Sequence, residues 1–150
     1  MDVLVTNAQR AHPVSPGRIG HLARCAIRRL RIRTPGELAI TFIGPQRMRH
    51  LNRRFFRHDC VTDVLSFRYD GEPTCLPPRW RGRQVVGEIL IAPSLARAYA
   101  VRHRVPYSAE LARYVVHGLL HWLGQEDRTA AERRRMRLME DRVLVQCASR

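Results

Sequence analysis

The chain contains no lysine: all 27 basic residues are arginine, against 13 acidic ones, for a formal net charge of +14. A G+C-rich coding bias accounts for arginine over lysine but not for the excess over acids. A field this positive attracts polyanions, and guanidinium grips phosphate through a bidentate fork. Nucleic acid is the leading partner class. Anionic lipid is the lesser one, because no long basic amphipathic helix stands apart from the rest. No apolar run approaches the roughly 18 residues of a membrane span. The opening MDVLVTNAQR lacks a basic stretch followed by an apolar core, which argues against a secretory signal and for a cytoplasmic protein. The four cysteines, Cys25, Cys60, Cys75 and Cys147, include no CxxC pair. That spacing disfavours a four-cysteine zinc site. It predicts free thiols without a disulfide partner, most of them packed in the core.

At 150 residues the chain fits a single domain, 1–150, able to bury roughly two-thirds of its unfolded surface without disulfide staples. Asp2 to Thr6 reads as a strand. Ser15-Pro16 opens a helix to about Ile32, with Ile19, Leu22, Ala23, Ala26, Ile27 and Leu30 on one face. Strands follow at Glu37–Ile43, Thr62–Tyr69 and Gln84–Ile91, with a short helix at Gln46–Phe56 that turns Met48, Leu51 and Phe55 inward. Pro73, Pro77, Pro78, Gly71 and Gly82 make Asp70–Gly82 a loop. Helices are expected from Pro93 to about Arg104, from Ser108 to Leu123, and from a Thr129–Glu132 capping box to about Cys147. The order predicts an α+β fold: a small mixed four-stranded sheet packed by about five helices, one of them a zincin-like metal helix.

His117 and His121, four residues apart, place two imidazoles one turn apart on one helix face. Leu111, Val115, Leu119 and Trp122 form the opposite stripe and should face the core. Gly124 permits the left-handed turn that ends the helix. The chain can then return Asp127 to the same ion, with Glu126 as the rival third ligand. Three nitrogen or oxygen ligands leave one tetrahedral position open, the pattern of a catalytic rather than a structural zinc. The spacing His117, His121, Gly124, Asp127 is similar to that of metzincin proteases. Those enzymes need a glutamate directly after the first histidine as general base, and Gly118 stands there.

The segment HGLLHWLGQEDR, His117 to Arg128, resembles the zinc motif HGxLHLxGxDH of the bacterial rRNA maturation endoribonuclease family YbeY. LNRRFFRHDCVTDVLSF (Leu51–Phe67), VGEILI (Val86–Ile91) and MRLMED (Met136–Asp141) are similar to further family blocks, in the family's order. The resemblance implies a zinc-dependent, single-strand-specific endoribonuclease with one Zn2+ per chain. It also implies cytoplasmic residence and work on rRNA and the small ribosomal subunit, with an Era-type GTPase among the partners. Asp127 stands where the family more often has histidine. Phe55, His58 and Asp59 fit the Phe-x-x-His-Asp pattern that accompanies this aspartate variant. The family's substrate-contacting arginine is replaced by Phe56, with Arg57 adjacent and Arg54 two residues before. A one-residue shift on a helix turns a side chain by about 100°, so Arg54 and Arg57 are alternatives. Val61 replaces the family's proline.

The chemistry these residues suggest is phosphodiester hydrolysis, with metal and arginines stabilising developing charge. No general base is assigned. Arg57 and Glu126 are the catalytic candidates, Glu126 by proximity alone, against its plainer role as a solvated turn residue. Arg53, Arg54 and Arg57 are the RNA-binding candidates, from a cluster expected near the cleft. Further arginines cluster at 28–33 and 133–137. Ser66 is a candidate to line the cleft, with packing or a backbone bond as the plainer expectation, and Trp122 and Phe67 are expected to lie in the core. The competing classes are a non-catalytic ribosome- or RNA-binding module with a structural zinc, and another zinc hydrolase such as a metalloprotease.

Overall fold

The computed structural model describes residues 1–70 and 76–148. The elements run β1 (Asp2–Asn7), α1 (Pro16–Arg29), β2 (Glu37–Phe42), α2 (Pro45–Phe56), β3 (Val64–Arg68), β4 (Val85–Ile91), α3 (Pro93–His103), α4 (Tyr107–Trp122) and α5 (Ala130–Ala148). Every expected element is present, with ends displaced by a few residues. Helix α1 stops at Arg29 rather than Ile32, and β3 starts at Val64 rather than Thr62. Gly71, Pro73 and Cys75 of the expected loop lie outside the described residues. Past them, Pro78–Trp80 forms a single 3-10 turn.

The four strands form one mixed sheet in the order β1-β2-β4-β3, the α+β architecture expected. β1, β2 and β4 are parallel, and β3 runs antiparallel to β4 at the edge. Alternation along β4 sorts the two faces. Ile89 and Ile91 pack into the main core with α1, α4 and α5, while Leu90 packs with Met48 and Ile43. Glu88, fully buried on the second face, is partnered by the Tyr69 hydroxyl at 3.1 Å, by Trp80 Nε1 at 3.4 Å and by Arg79.

The stripe predicted on α4 is buried throughout: Leu111, Val115, Leu119 and Trp122 all belong to the main core. In α1, Ile19, Ala23, Ala26 and Ile27 are buried, and Leu22 and Leu30 flank them. Two inferences fail. Phe55 is 55% exposed rather than inward, because α2 enters the buried cluster on this face through Met48 and Leu51, short of its last turn. Its last turn overhangs the edge strand, where Phe55 and Phe56 lie against Phe67 at centroid distances of 5.3 and 5.9 Å. The cysteines are the second correction. Cys25 and Cys147 form a disulfide across 122 residues, with Cα atoms 5.9 Å apart. Absent CxxC spacing said nothing about this pair, because α1 and α5 bring distant positions together in space. Cys60 is a free, exposed thiol.

Helix α4 lies close on the sheet because two glycines make room. A Cβ at Gly118 would fall 2.4 Å from Ile89 Cγ2 and 3.0 Å from Val64 Cγ1. A Cβ on Gly87 of β4 would fall 2.0 Å from Trp122 Nε1 and 2.9 Å from the Phe67 carbonyl oxygen. Gly118→Ala gains about 1 kcal/mol of helix propensity but overpacks the interface, so a net loss of about 1–2 kcal/mol is expected in urea denaturation. Gly87→Ala meets a buried indole and a backbone carbonyl, neither of which can swing aside. It should cost about 3 kcal/mol or more. The reverse ranking would show that α4 is not seated as described. Reduction of Cys25–Cys147 should lower stability by about 2–4 kcal/mol, read as a fall in melting temperature when reductant is added.

Candidate metal centre

Helix α4 starts after Pro106, which presets the first turn, and ends in a glycine cap. Gly124, at φ +90°, sends its N–H to the His121 carbonyl at 2.8 Å, and Gln125 N–H reaches the Leu120 carbonyl at 3.0 Å. This paired closure satisfies the last carbonyls and turns the chain back. Asp127 then comes alongside the two histidines. The capping box expected at the next helix is present: Thr129 N–H donates to Glu132 Oε2 at 2.9 Å and Glu132 N–H to Thr129 Oγ1 at 3.1 Å. Arg133 Nη1 donates to the Asp127 carbonyl at 3.2 Å, tying the return loop to α5.

The donor atoms converge. His117 Nε2 and His121 Nε2 are 2.9 Å apart, and Asp127 Oδ2 lies 3.7 and 3.5 Å from them. Among the described residues this is the group of His, Cys, Asp and Glu side chains that could hold a metal ion. Three corners of a tetrahedron with about 2.0–2.1 Å bonds lie roughly 3.3 Å apart, so the donor set fits a zinc-sized ion. The three side chains are 16%, 26% and 39% exposed, leaving one side of the group open. The rival ligand Glu126 points elsewhere, pairing with Arg128 at 3.1 Å on the surface.

The residue that sequence reasoning missed is Glu140. It is buried on α5, and its Oε1 accepts from His117 Nδ1 at 2.8 Å. A carboxylate only accepts, so this bond puts the His117 proton on Nδ1 and leaves Nε2 free as a ligand. Arg113 Nη1 donates to the other Glu140 oxygen at 2.8 Å, and its Nη2 to Asp141 at 2.7 Å. Burial pushes the His117 pKa down, but the Glu140 bond and the charges of Asp63, Glu140 and Asp127 outweigh it, so it lies above the ordinary histidine value. Burial likewise pushes Glu140 up, and the bonds from His117 and Arg113 hold it below the ordinary carboxylate value. A signal for it was present: Met136, Glu140, Val143 and Cys147 form the buried stripe of α5, so this acid interrupts an apolar face.

His117 and Asp127 line a cleft of about 240 Å³, whose walls also include Asp63, Tyr114, Arg133 and Arg137. Asp63 sits just before β3 and caps it through the Val64 N–H at 2.9 Å. Ser66 Oγ donates to the Gly118 carbonyl at 2.9 Å, a backbone bond being one of the plainer expectations for it, and it does not line the cleft. Arg53, Arg54 and Arg57 do not line the cleft; the later cluster supplies Arg133 and Arg137 instead. Arg57 occupies the left-handed cap of α2 at φ +59°, and Arg54 lies 5.4 Å from the Phe55 ring centroid. Helix α2 carries that cluster to the far face of the edge strand, which sequence order alone did not show.

Glu140→Gln should weaken metal affinity by about 10–100-fold, measured by chelator competition, with the circular dichroism spectrum unchanged. The single amide oxygen can serve His117 or Arg113, not both. Unchanged affinity would show that the Glu140 bond does not orient the ligand.

The family model described as "Endoribonuclease YbeY" matches residues 4–148. The chain is 30% identical to the endoribonuclease YbeY of Phocaeicola vulgatus over 86% of its own length and 83% of the relative's. It is 33% identical to that of Thermodesulfovibrio yellowstonii over 77% of its length and 71% of the relative's. Its fold is similar to the solution structure of a Thermotoga maritima protein, with a TM-score of 0.58 at 18% identity, covering 98% of this chain and 92% of that one. With the match spanning nearly the whole chain, this protein belongs to the YbeY family of metal-dependent endoribonucleases.

Proposed function

We propose that the chain uses one zinc ion, held by His117, His121 and Asp127, to cleave unpaired RNA, acting in rRNA maturation and quality control of the small ribosomal subunit. The observation that carries this reading is the convergence of three ligand atoms, two of them on residues that line a cleft walled partly by arginines. A bound zinc supplies Lewis acidity toward a phosphoryl oxygen and activates water at neutral pH. The chain's own residues do the rest. Glu140 holds the proton at His117 Nδ1. Arg133 is engaged by the carbonyls of Asp127 and Arg128, which leaves Arg137 as the cleft guanidinium that can turn to a phosphate. Phe55 and Phe56, half-exposed beside Arg54, offer ring faces to bases that are not paired.

Two alternatives are disfavoured by particular observations. Gly118 faces the sheet, with Ile89 where a Cβ would be. A protease-type glutamate at that position would have no room and no line to the ligands. A structural zinc is closed by four protein ligands, whereas this group offers three and is open on one side. Cytoplasmic residence and an Era-type GTPase partner belong to the same reading, and family membership supports them. The described residues include no helix long and apolar enough to cross a membrane.

Chelator-treated protein should be inactive on unpaired RNA and regain cleavage with added zinc. His121→Ala should lower cleavage to background while RNA binding persists. Cleavage that survives both treatments would remove the metal from the reaction. Zinc-dependent cleavage of casein with none of RNA would assign the site to a different hydrolase.

A further inference from the structure

Within the metal cleft itself the charges nearly cancel. Four carboxylates, Asp63, Glu110, Asp127 and Glu140, face three guanidinium groups, Arg113, Arg133 and Arg137. Arg113 is already held by Glu140 and Asp141. A polyanion therefore finds little net attraction in the cleft beyond the metal, and the excess of arginine must act elsewhere.

One place concentrates it. On the other side of α5, a recess of about 480 Å³ lies between the end of α1 and the C-terminal half of α5. Its wall carries Arg28, Arg29, Arg31 and Arg142 with the Gln146 amide, over a floor that includes Met139. Among the described residues, no carboxylate lines it. Among the described residues, none of the four guanidinium groups is in a salt bridge, although six other arginines are. Arg28 and Arg29 also suit the negative end of the α1 dipole, but that explanation does not reach Arg142 on α5. Nor does it explain Arg31, which holds the left-handed cap of α1 at φ +55°, a position glycine fills at no steric cost. The two walls are joined by the Cys25–Cys147 disulfide, one turn from Arg28 and Arg29 and adjacent in sequence to Gln146. Four like charges around a fixed concavity focus a positive potential.

We propose that this recess is a second phosphate-binding site, which grips the backbone of the RNA chain whose scissile bond lies in the metal cleft. The proposal rests on the reading of the chain as an RNA-cleaving enzyme. Lining residues of the two sites alternate along α5, Met136 and Glu140 for the cleft and Met139 and Val143 for the recess. The full α5 sets, Arg133, Met136, Arg137 and Glu140 for the cleft against Met139, Arg142, Val143 and Gln146 for the recess, are offset by six residues, about 9 Å of helix axis and a third of a turn. One strand passing over α5 can therefore occupy both. Guanidinium forks read phosphate without reading bases, so the site adds affinity and register rather than sequence preference.

The test compares the double variant Arg28→Ala/Arg142→Ala with the charge-matched control Arg10→Ala/Arg18→Ala, since any charge loss weakens a protein this basic. Binding is measured on chelator-treated protein, so failure of the cleavage reading would leave this measurement intact. The recess variant should bind a long unpaired RNA about 10-fold more weakly than the control, with a salt-dependence slope reduced by about two. A tetranucleotide should bind both alike. The long RNA should also protect Arg28 and Arg142 from phenylglyoxal, read by mass spectrometry, whereas inorganic phosphate at equal phosphate concentration should not. Equal losses in the two variants, or protection by inorganic phosphate alone, would overturn the proposal. So would an acidic protein that protects these arginines where RNA does not.

Discussion

The seating of α4 on the sheet governs the geometry of everything that follows. Gly118 and Gly87 let the helix approach until Ile89 and Trp122 fill the space where side chains would stand. The Ser66 hydroxyl, bonded to the Gly118 carbonyl, fixes the edge strand to the same turn. With position 118 turned into the sheet, helical geometry sends His117 and His121 to one flank rather than to either core or bulk water. A helix held farther off by even one methyl group would move both imidazoles relative to Asp127, which is carried by the loop and anchored by α5.

Helix α5 supplies the second constraint. Glu140 is buried, yet both its oxygens are occupied, one by His117 and one by Arg113. Burying such a set of charges costs several kcal/mol per ion before pairing offsets it, and apolar replacements of buried ion pairs are often neutral or stabilising. Stability alone thus gives little reason to keep it. Orientation does: the chain Asp141, Arg113, Glu140, His117 leaves the imidazole one tautomer and one direction. The same helix forms the disulfide with α1, so the side that orients the histidine is also the side that is covalently fixed.

Element types and the metal group were legible in the sequence because each rests on local spacing. A three-residue or four-residue interval decides which helical positions share a face, and a glycine or a threonine-to-glutamate interval decides where a helix ends. The features that escaped are non-local. Cys25 and Cys147 meet only after α1 and α5 pack. Glu140 finds His117 across 23 residues. The cluster at Arg53, Arg54 and Arg57 lies beside the cleft in sequence order but on α2, which packs on the other face of the sheet from α4. Phe55 kept helical register with Met48 and Leu51, yet the sheet ends before it does. Edges of this kind are a property of the assembled sheet, and no window of residues contains them.

Charge distribution then separates two tasks that a single active site is often assumed to combine. Ligating and orienting a metal requires carboxylates and imidazoles, and such a set is close to neutral or negative before the ion arrives. Attracting a polyanion requires uncompensated positive charge, which near the ligands would compete with the ion itself. The chain resolves this by position. Acidic residues gather where α4 and α5 face each other, and arginines with no salt bridge among the described residues gather between the end of α1 and α5. An RNA strand approaching this surface meets positive potential first, at long range, and the metal group only after it has docked. Placing a cationic recess across α5 from the ligands therefore follows from electrostatics as much as from the need for a longer substrate footprint.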